Sequence, residues 1–215
     1  MTGITLHDLT FLTPEILMLV FAIVILLLPK KSGNLAYVLS IIGSAVAVVL
    51  CVLLWGSDVV IANTYEVNAF ALVFKVVFLI LALITLIGSR DFTQSLRYAK
   101  EYYALIMVAT TGLMALGSVG DFISLFVAFE LVSIATYALP LIDPNEENGK
   151  EAALKYFIMG AFSSGLILYG FSLLYGFTGT MSITGVVEAL STNGIEPIVL
   201  VAMVLCLAGF GYKMA

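Results

Sequence analysis

Along this chain, apolar residues gather in long runs that short polar stretches interrupt. The runs cover roughly 11–28, 35–55, 70–88, 102–118, 122–141, 151–177 and 197–215, with ends placed to within about 2–4 residues. Several exceed the roughly 18 apolar residues that a spanning helix needs. Inside a bilayer every backbone N–H and C=O must be satisfied within the protein, so each run is expected to be a helix. The pattern therefore predicts an all-α fold, a polytopic transmembrane helix bundle with seven spans. Pro14 falls in the first turn of the first run, where its missing N–H is tolerated. The connection at 178–196 is the longest and is expected to hold a short interfacial helix near 183–190.

Composition agrees with the pattern. The chain is 62% hydrophobic and 11% charged, with a mean hydropathy of +1.15. Soluble domains sit near 45–50% apolar and about 25% charged, so a soluble globular protein is excluded. In lipid, helices associate through small residues and a few polar contacts, which the 18 glycines suit. Nothing resembles a basic nucleic-acid surface. Cys51 and Cys206 lie deep in apolar runs and are expected to be ordinary packing residues. No metal-ligand spacing is present, and His7 is the sole histidine. The first run lacks a basic region before it, which predicts a membrane helix there and not a cleaved signal peptide.

The placement of charge gives a topology. Lys30, Lys31, Arg90, Arg97, Lys100 and Lys150 fall in the first, third and fifth connections, and the even connections contain no Lys or Arg. By the positive-inside rule the N-terminus is outside and the odd connections are cytoplasmic, with the chain in the cell (inner) membrane.

Three bases, Lys75, Lys155 and Lys213, then remain inside apolar runs, and Glu130 is the acid that lies deepest in one. Glu130 lies nine residues after Asp121 and ten before Pro140, roughly 13–15 Å from each end of its helix at the helical rise. An acid at that depth costs about 2.5–3.5 kcal/mol on insertion scales, so it is read as a proton-carrying or charge-coupling carboxylate. Ser133 and Tyr137 share its face and are expected to support it. Lys155 sits shallower, about 7 Å in, with Glu151 in the favourable order for a helical ion pair. Lys75 is near the outer end of its run and is expected to snorkel to the headgroups. Lys213 follows Gly209-Phe210-Gly211-Tyr212, two glycines that predict a broken helix. A carboxylate flanked by lysines has a mechanism: in contact, each favours the other's charged form. Separation frees the lysine to shed its proton and leaves the glutamate ready to take one.

The ordered set Leu12-Thr13-Pro14-Glu15-Ile16, Phe126-Val127-Ala128-Phe129-Glu130-Leu131 with Tyr137, Ala152-Ala153-Leu154-Lys155-Tyr156-Phe157 with Gly160-Ala161, and Gly209-Phe210-Gly211-Tyr212-Lys213 resembles one family along the whole chain. It is the antiporter-like subunit N of the proton-pumping NADH–quinone oxidoreductase, respiratory complex I. The resemblance implies three leading helices over 1–101, then over 102–215 the first of two inverted five-helix repeats, ending in a broken helix. It maps the family's paired glutamate onto Glu130 and its two repeat lysines onto Lys155 and Lys213. It further implies a non-redox subunit that binds no flavin or iron–sulfur cluster. Its expected partners are the other membrane subunits, sister antiporter-like subunits among them, the lipid bilayer and, indirectly, a hydrophilic redox arm. The family continues beyond the equivalent of Lys213, so the chain is expected to be part of a longer protein. The reading from residues alone also admits an Mrp-like secondary cation/proton antiporter subunit.

Overall fold

A computed structural model of the chain describes residues 6–62, 64–142 and 147–214, apart from the side chains of residues 6, 7, 147 and 148. His7's imidazole and most of the polar loop before Lys150 thus lie outside the described residues. Ten α-helices follow in order: α1 (Leu6–Phe11), α2 (Thr13–Leu27), α3 (Gly33–Leu53), α4 (Ala69–Gly88), α5 (Arg90–Gln94), α6 (Ala99–Leu116), α7 (Phe122–Ala138), α8 (Glu147–Thr178), α9 (Ile183–Asn193) and α10 (Pro197–Met214). Each expected apolar run is a helix. Among the described residues, five helices are long and apolar enough to cross a membrane, and α2 is apolar but shorter. The expected short helix in the longest connection is α9. Ser182 caps its start, and Gly194 ends it at φ +79°, in the left-handed region that favours glycine.

Local chemistry explains where the helices begin. The Asn68 side chain accepts from the Ala71 N–H and starts α4. Asp121 does more for α7: its Oδ1 accepts from the N–H groups of Ile123 and Ser124 at 2.8 and 2.7 Å. Side-chain oxygens there satisfy donors that the first turn leaves unpaired. Lys100 was placed in a connection by the sequence, yet it lies in the first turn of α6 and is buried. Its Nζ donates to the carbonyls of Leu26 and Leu28 at 2.8 and 2.7 Å, tying α6 to the C-terminal end of α2.

One connection holds strands. Val59–Ile61 (β1) and Tyr65–Val67 (β2) pair antiparallel, Val59 opposite Val67. Backbone bonds extend this hairpin to the α6–α7 connection, Glu66 N–H to Ser118 O at 2.6 Å and Gly120 N–H to Thr64 O at 2.8 Å. The α8–α9 connection joins through Ile183 N–H to Gly120 O at 3.1 Å. The second, fourth and sixth connections are thereby knitted together at one end of the bundle.

Packing forms two bodies of core. The larger, among α2, α3, α4 and α6, includes Met18, Ala47, Leu79, Tyr103 and Met107. The smaller lies between α8 and α10 around Ile167, Phe171, Val199 and Ala202. The α8–α10 pair is the most extensively packed in the molecule among the described residues. Gly209 makes that approach possible: a Cβ there would stand 2.5 Å from Ile167 Cγ1 and 2.8 Å from the Ser163 carbonyl. This overturns the expected break, since α10 runs unbroken through Gly209 and Gly211 to Met214. A glycine that allows backbone contact reads in the sequence like one that breaks a helix.

Candidate functional site

Glu130, in the middle of α7, meets Lys213, in the last turn of α10, with Nζ 2.7 Å from Oε1. The lysine side chain is 7% exposed and the glutamate 23%. Two hydroxyls complete the centre. Ser133, one turn along α7, accepts from Lys213 Nζ at 3.0 Å. Ser164, on α8, donates to Glu130 Oε1 at 2.5 Å. The Phe129 ring lies 5.6 Å from Nζ and supplies a cation–π contact. Three helices therefore converge on one carboxylate oxygen.

The position of α10 decides the contact. Ser163 Oγ donates to the Gly209 carbonyl at 2.6 Å, which clamps α10 onto α8 one turn before Lys213. Gly160 has a related role for α7, since the Tyr137 hydroxyl occupies the space a Cβ would need. Tyr137 in turn packs edge-on to Tyr156 of α8, centroids 4.8 Å apart. Beside the pair lies a cavity of about 640 Å³, lined by Ser133, Thr136, Tyr137, Tyr156 and Lys213 among others. Lys213 touches this space and Glu130 sits behind it. The geometry is that of a lysine between an open volume and a part-buried carboxylate, with hydroxyls on both sides.

Of the residues expected from the sequence, Glu130, Lys213 and Ser133 are in contact, and Tyr137 lines the cavity. Lys155 is not brought to them. It pairs with Glu151 at 2.6 Å, and both side chains are well exposed, at 72% and 66%. Ser164 was missed, although a Ser-Ser-Gly triplet in the middle of an apolar helix is a visible signal.

Lys75 needs a correction. It does not snorkel: it is fully buried, and its Nζ is 2.8 Å from Glu15 Oε1 of α2. The two charges are in ion-pair contact, although their alignment falls short of a hydrogen bond, and Glu15 Oε2 has no hydrogen-bond partner among the described residues. Tyr65 of β2 donates to the same Glu15 Oε1 at 2.8 Å, and its ring faces Nζ at 5.0 Å. Burial, and next the Glu15 carboxylate, hold the Tyr65 phenol well above its ordinary range, so it stays a donor. The lysine was misread because depth along a helix does not say which face it occupies.

Comparisons with known proteins extend the geometry. The transmembrane family described as NADH:quinone oxidoreductase/Mrp antiporter matches residues 119–215, which include α7, α8 and α10. The chain is 36% identical to F(420)H(2) dehydrogenase subunit N of Methanosarcina mazei, over 98% of this chain and 45% of that protein. It is also 36% identical to NADH-quinone oxidoreductase subunit N of Bartonella bacilliformis, over 97% of this chain and 44% of the relative. The chain thus spans about half the length of the curated relatives it matches. Among solved structures, respiratory complex I from Thermus thermophilus matches with a TM-score of 0.74 at 30% identity, over 93% of this chain and 43% of the other. A membrane-bound sulfane sulfur reductase, an archaeal respiratory membrane complex, has a TM-score of 0.77 at 19% identity over 94% of this chain and 44% of that one, which shows a shared fold. Over nearly its whole length the chain is thus similar to subunit N of the NADH–quinone oxidoreductases, and from residue 119 onward it matches their antiporter-like transmembrane family.

Proposed function

We propose that this chain supplies part of a proton path in a redox-driven quinone oxidoreductase-type complex, with Glu130 and Lys213 as its central relay. The observation that carries the reading is the Lys213–Glu130 contact of 2.7 Å beside a hydroxyl-lined cavity. Lys213 lines the cavity and can release its proton to that space, while Glu130 lies behind it. In contact, the pair is ammonium and carboxylate. A movement that parts them lets Lys213 release its proton, and Glu130 becomes free to accept one, with Ser164 and Ser133 keeping both groups hydrogen-bonded. Electron transfer elsewhere in the complex drives the movement, and this subunit itself carries no redox step. Lys155, held at the surface by Glu151, has no assigned step in this centre.

The wider arrangement belongs to the same proposal. Residues 1–101 form the leading helices and 102–215 the first antiporter-like repeat, seven spans in all, set in the cell (inner) membrane with the N-terminus outside. The other membrane subunits are the direct partners. Relatives named for two different electron donors match this chain equally well, so its chemistry fits a part that is independent of the donor.

The test is proton pumping by the assembled complex in inside-out vesicles. Lys213→Ala is expected to leave assembly intact and to remove most donor-driven acidification. Unchanged acidification would overturn the relay. Donor-independent sodium/proton exchange by the wild type would instead support the Mrp-like antiporter reading.

A further inference from the structure

At the end of the bundle where the basic connections gather, a cavity of about 540 Å³ opens between the α2–α3 turn and the segment from α5 to the start of α6. Lys30, Lys31, Arg90 and Arg97 all line it, and its described lining includes no acidic side chain. None of these four cations has an ion-pair partner among the described residues, whereas the nearby Lys100 is spent on α2 and on Glu101, 3.9 Å away. Such a concentration of like charge repels itself and is stabilised by a bound anion.

The cations are also held in place. The Arg90 guanidinium lies over the Tyr37 ring at 5.0 Å. Tyr37 packs on Tyr103 with centroids 5.7 Å apart, and the Tyr103 hydroxyl bonds that of Thr93. A planar guanidinium fixed on an aromatic face keeps its free edge for bidentate contact with phosphate.

The surroundings choose the anion. The spanning helices α3 and α4 begin and end here, at Gly33 and Gly88, so the cavity lies at the membrane–water boundary. Immediately on the membrane side, Leu27, Leu35 and Ile87 are exposed, Leu27 by 80%. A charged mouth bordered by bare aliphatic surface fits an amphiphile.

The geometry points to a site for an anionic phospholipid, its phosphate headgroup between Arg90, Arg97 and the two lysines and its acyl chains along the exposed aliphatic face. This inference does not depend on the proton relay. It assigns the basic end of the leading helices a lipid ligand as well as an orienting charge.

The test is native mass spectrometry of the intact, detergent-released complex titrated with phosphatidylglycerol, phosphatidylcholine or inorganic phosphate. The wild type should retain phosphatidylglycerol selectively, more weakly as salt rises. Arg90→Gln with Arg97→Gln should weaken that retention about tenfold or more, and Lys30→Gln with Lys31→Gln, on the solvent-exposed turn, should do so without loss of assembly. Equal retention by both double variants and the wild type would overturn the site. So would equal binding of phosphatidylcholine, binding of inorganic phosphate as tight as that of the lipid, or a copurifying acidic protein that occupies the cavity in place of lipid.

Discussion

Two lysine–glutamate pairs join helices inside the bundle, and their surroundings differ. Glu15–Lys75 is closed in: the lysine has no exposure, its carboxylate also takes the Tyr65 hydroxyl, and the pair ties α2, α4 and the hairpin into one unit. Glu130–Lys213 borders a cavity of about 640 Å³ and has a serine at each side. Identical chemistry thus has two consequences. On the proposed reading, a charge pair closed off from its surroundings holds its neighbours, whereas one beside an open volume exchanges protons with it. Access, more than burial, then separates a clamp from a relay.

Breaking the relay should have the largest functional effect. Lys213→Ala removes the base at the cavity, and pumping should fall by more than about tenfold, the scale expected for loss of a positioned proton-transfer group. Donor oxidation and assembly, measured alongside, should persist. In the clamp, Lys75→Met leaves Glu15 buried and unpaired. It should cost about 3–5 kcal/mol of stability, read as loss of assembled complex on a native gel; a full yield would break the comparison. Tyr65→Phe deletes one hydrogen bond to a charged acceptor and should cost about 1.5–3 kcal/mol, visible as a lower melting temperature with pumping per complex retained. Gly209→Ala sharpens the relay side. Its Cβ would press on Ile167 and the Ser163 carbonyl, so α10 should shift at a cost of about 1–3 kcal/mol, with partial loss of pumping. Lys155→Ala should have the smallest effect, because an exposed helical pair contributes only about 0.3–0.5 kcal/mol. It should retain clearly more pumping than Lys213→Ala.

Much of this was legible in the sequence, for identifiable reasons. Bilayer physics forces helices on long apolar runs, so the seven segments could be placed within a few residues. Glu130 stood out because depth in a span can be counted along the chain. What could not be counted was direction. Lys75 looked like a residue near a helix end, and only the packing of α2 against α4 reveals Glu15 as its partner. Gly209 looked like a breaker for the same reason, since the neighbouring helix that exploits its missing side chain is more than forty residues away in sequence. Lys100 was taken for a loop charge, and its two carbonyl acceptors lie more than seventy residues away. The hairpin escaped notice because three-residue strands are too short to show an alternating pattern.

The central proposal is that the cavity beside Lys213 makes its partner Glu130 a proton carrier, whereas the enclosed Glu15 is a structural anchor. The most direct measurement is the number of protons moved per electron by assembled complexes carrying Glu130→Gln or Glu15→Gln, compared in the same vesicles. The account predicts a collapsed ratio for Glu130→Gln, and for Glu15→Gln a normal ratio on a reduced amount of complex. A normal ratio with Glu130→Gln, or a collapsed one with Glu15→Gln in fully assembled complex, would contradict it.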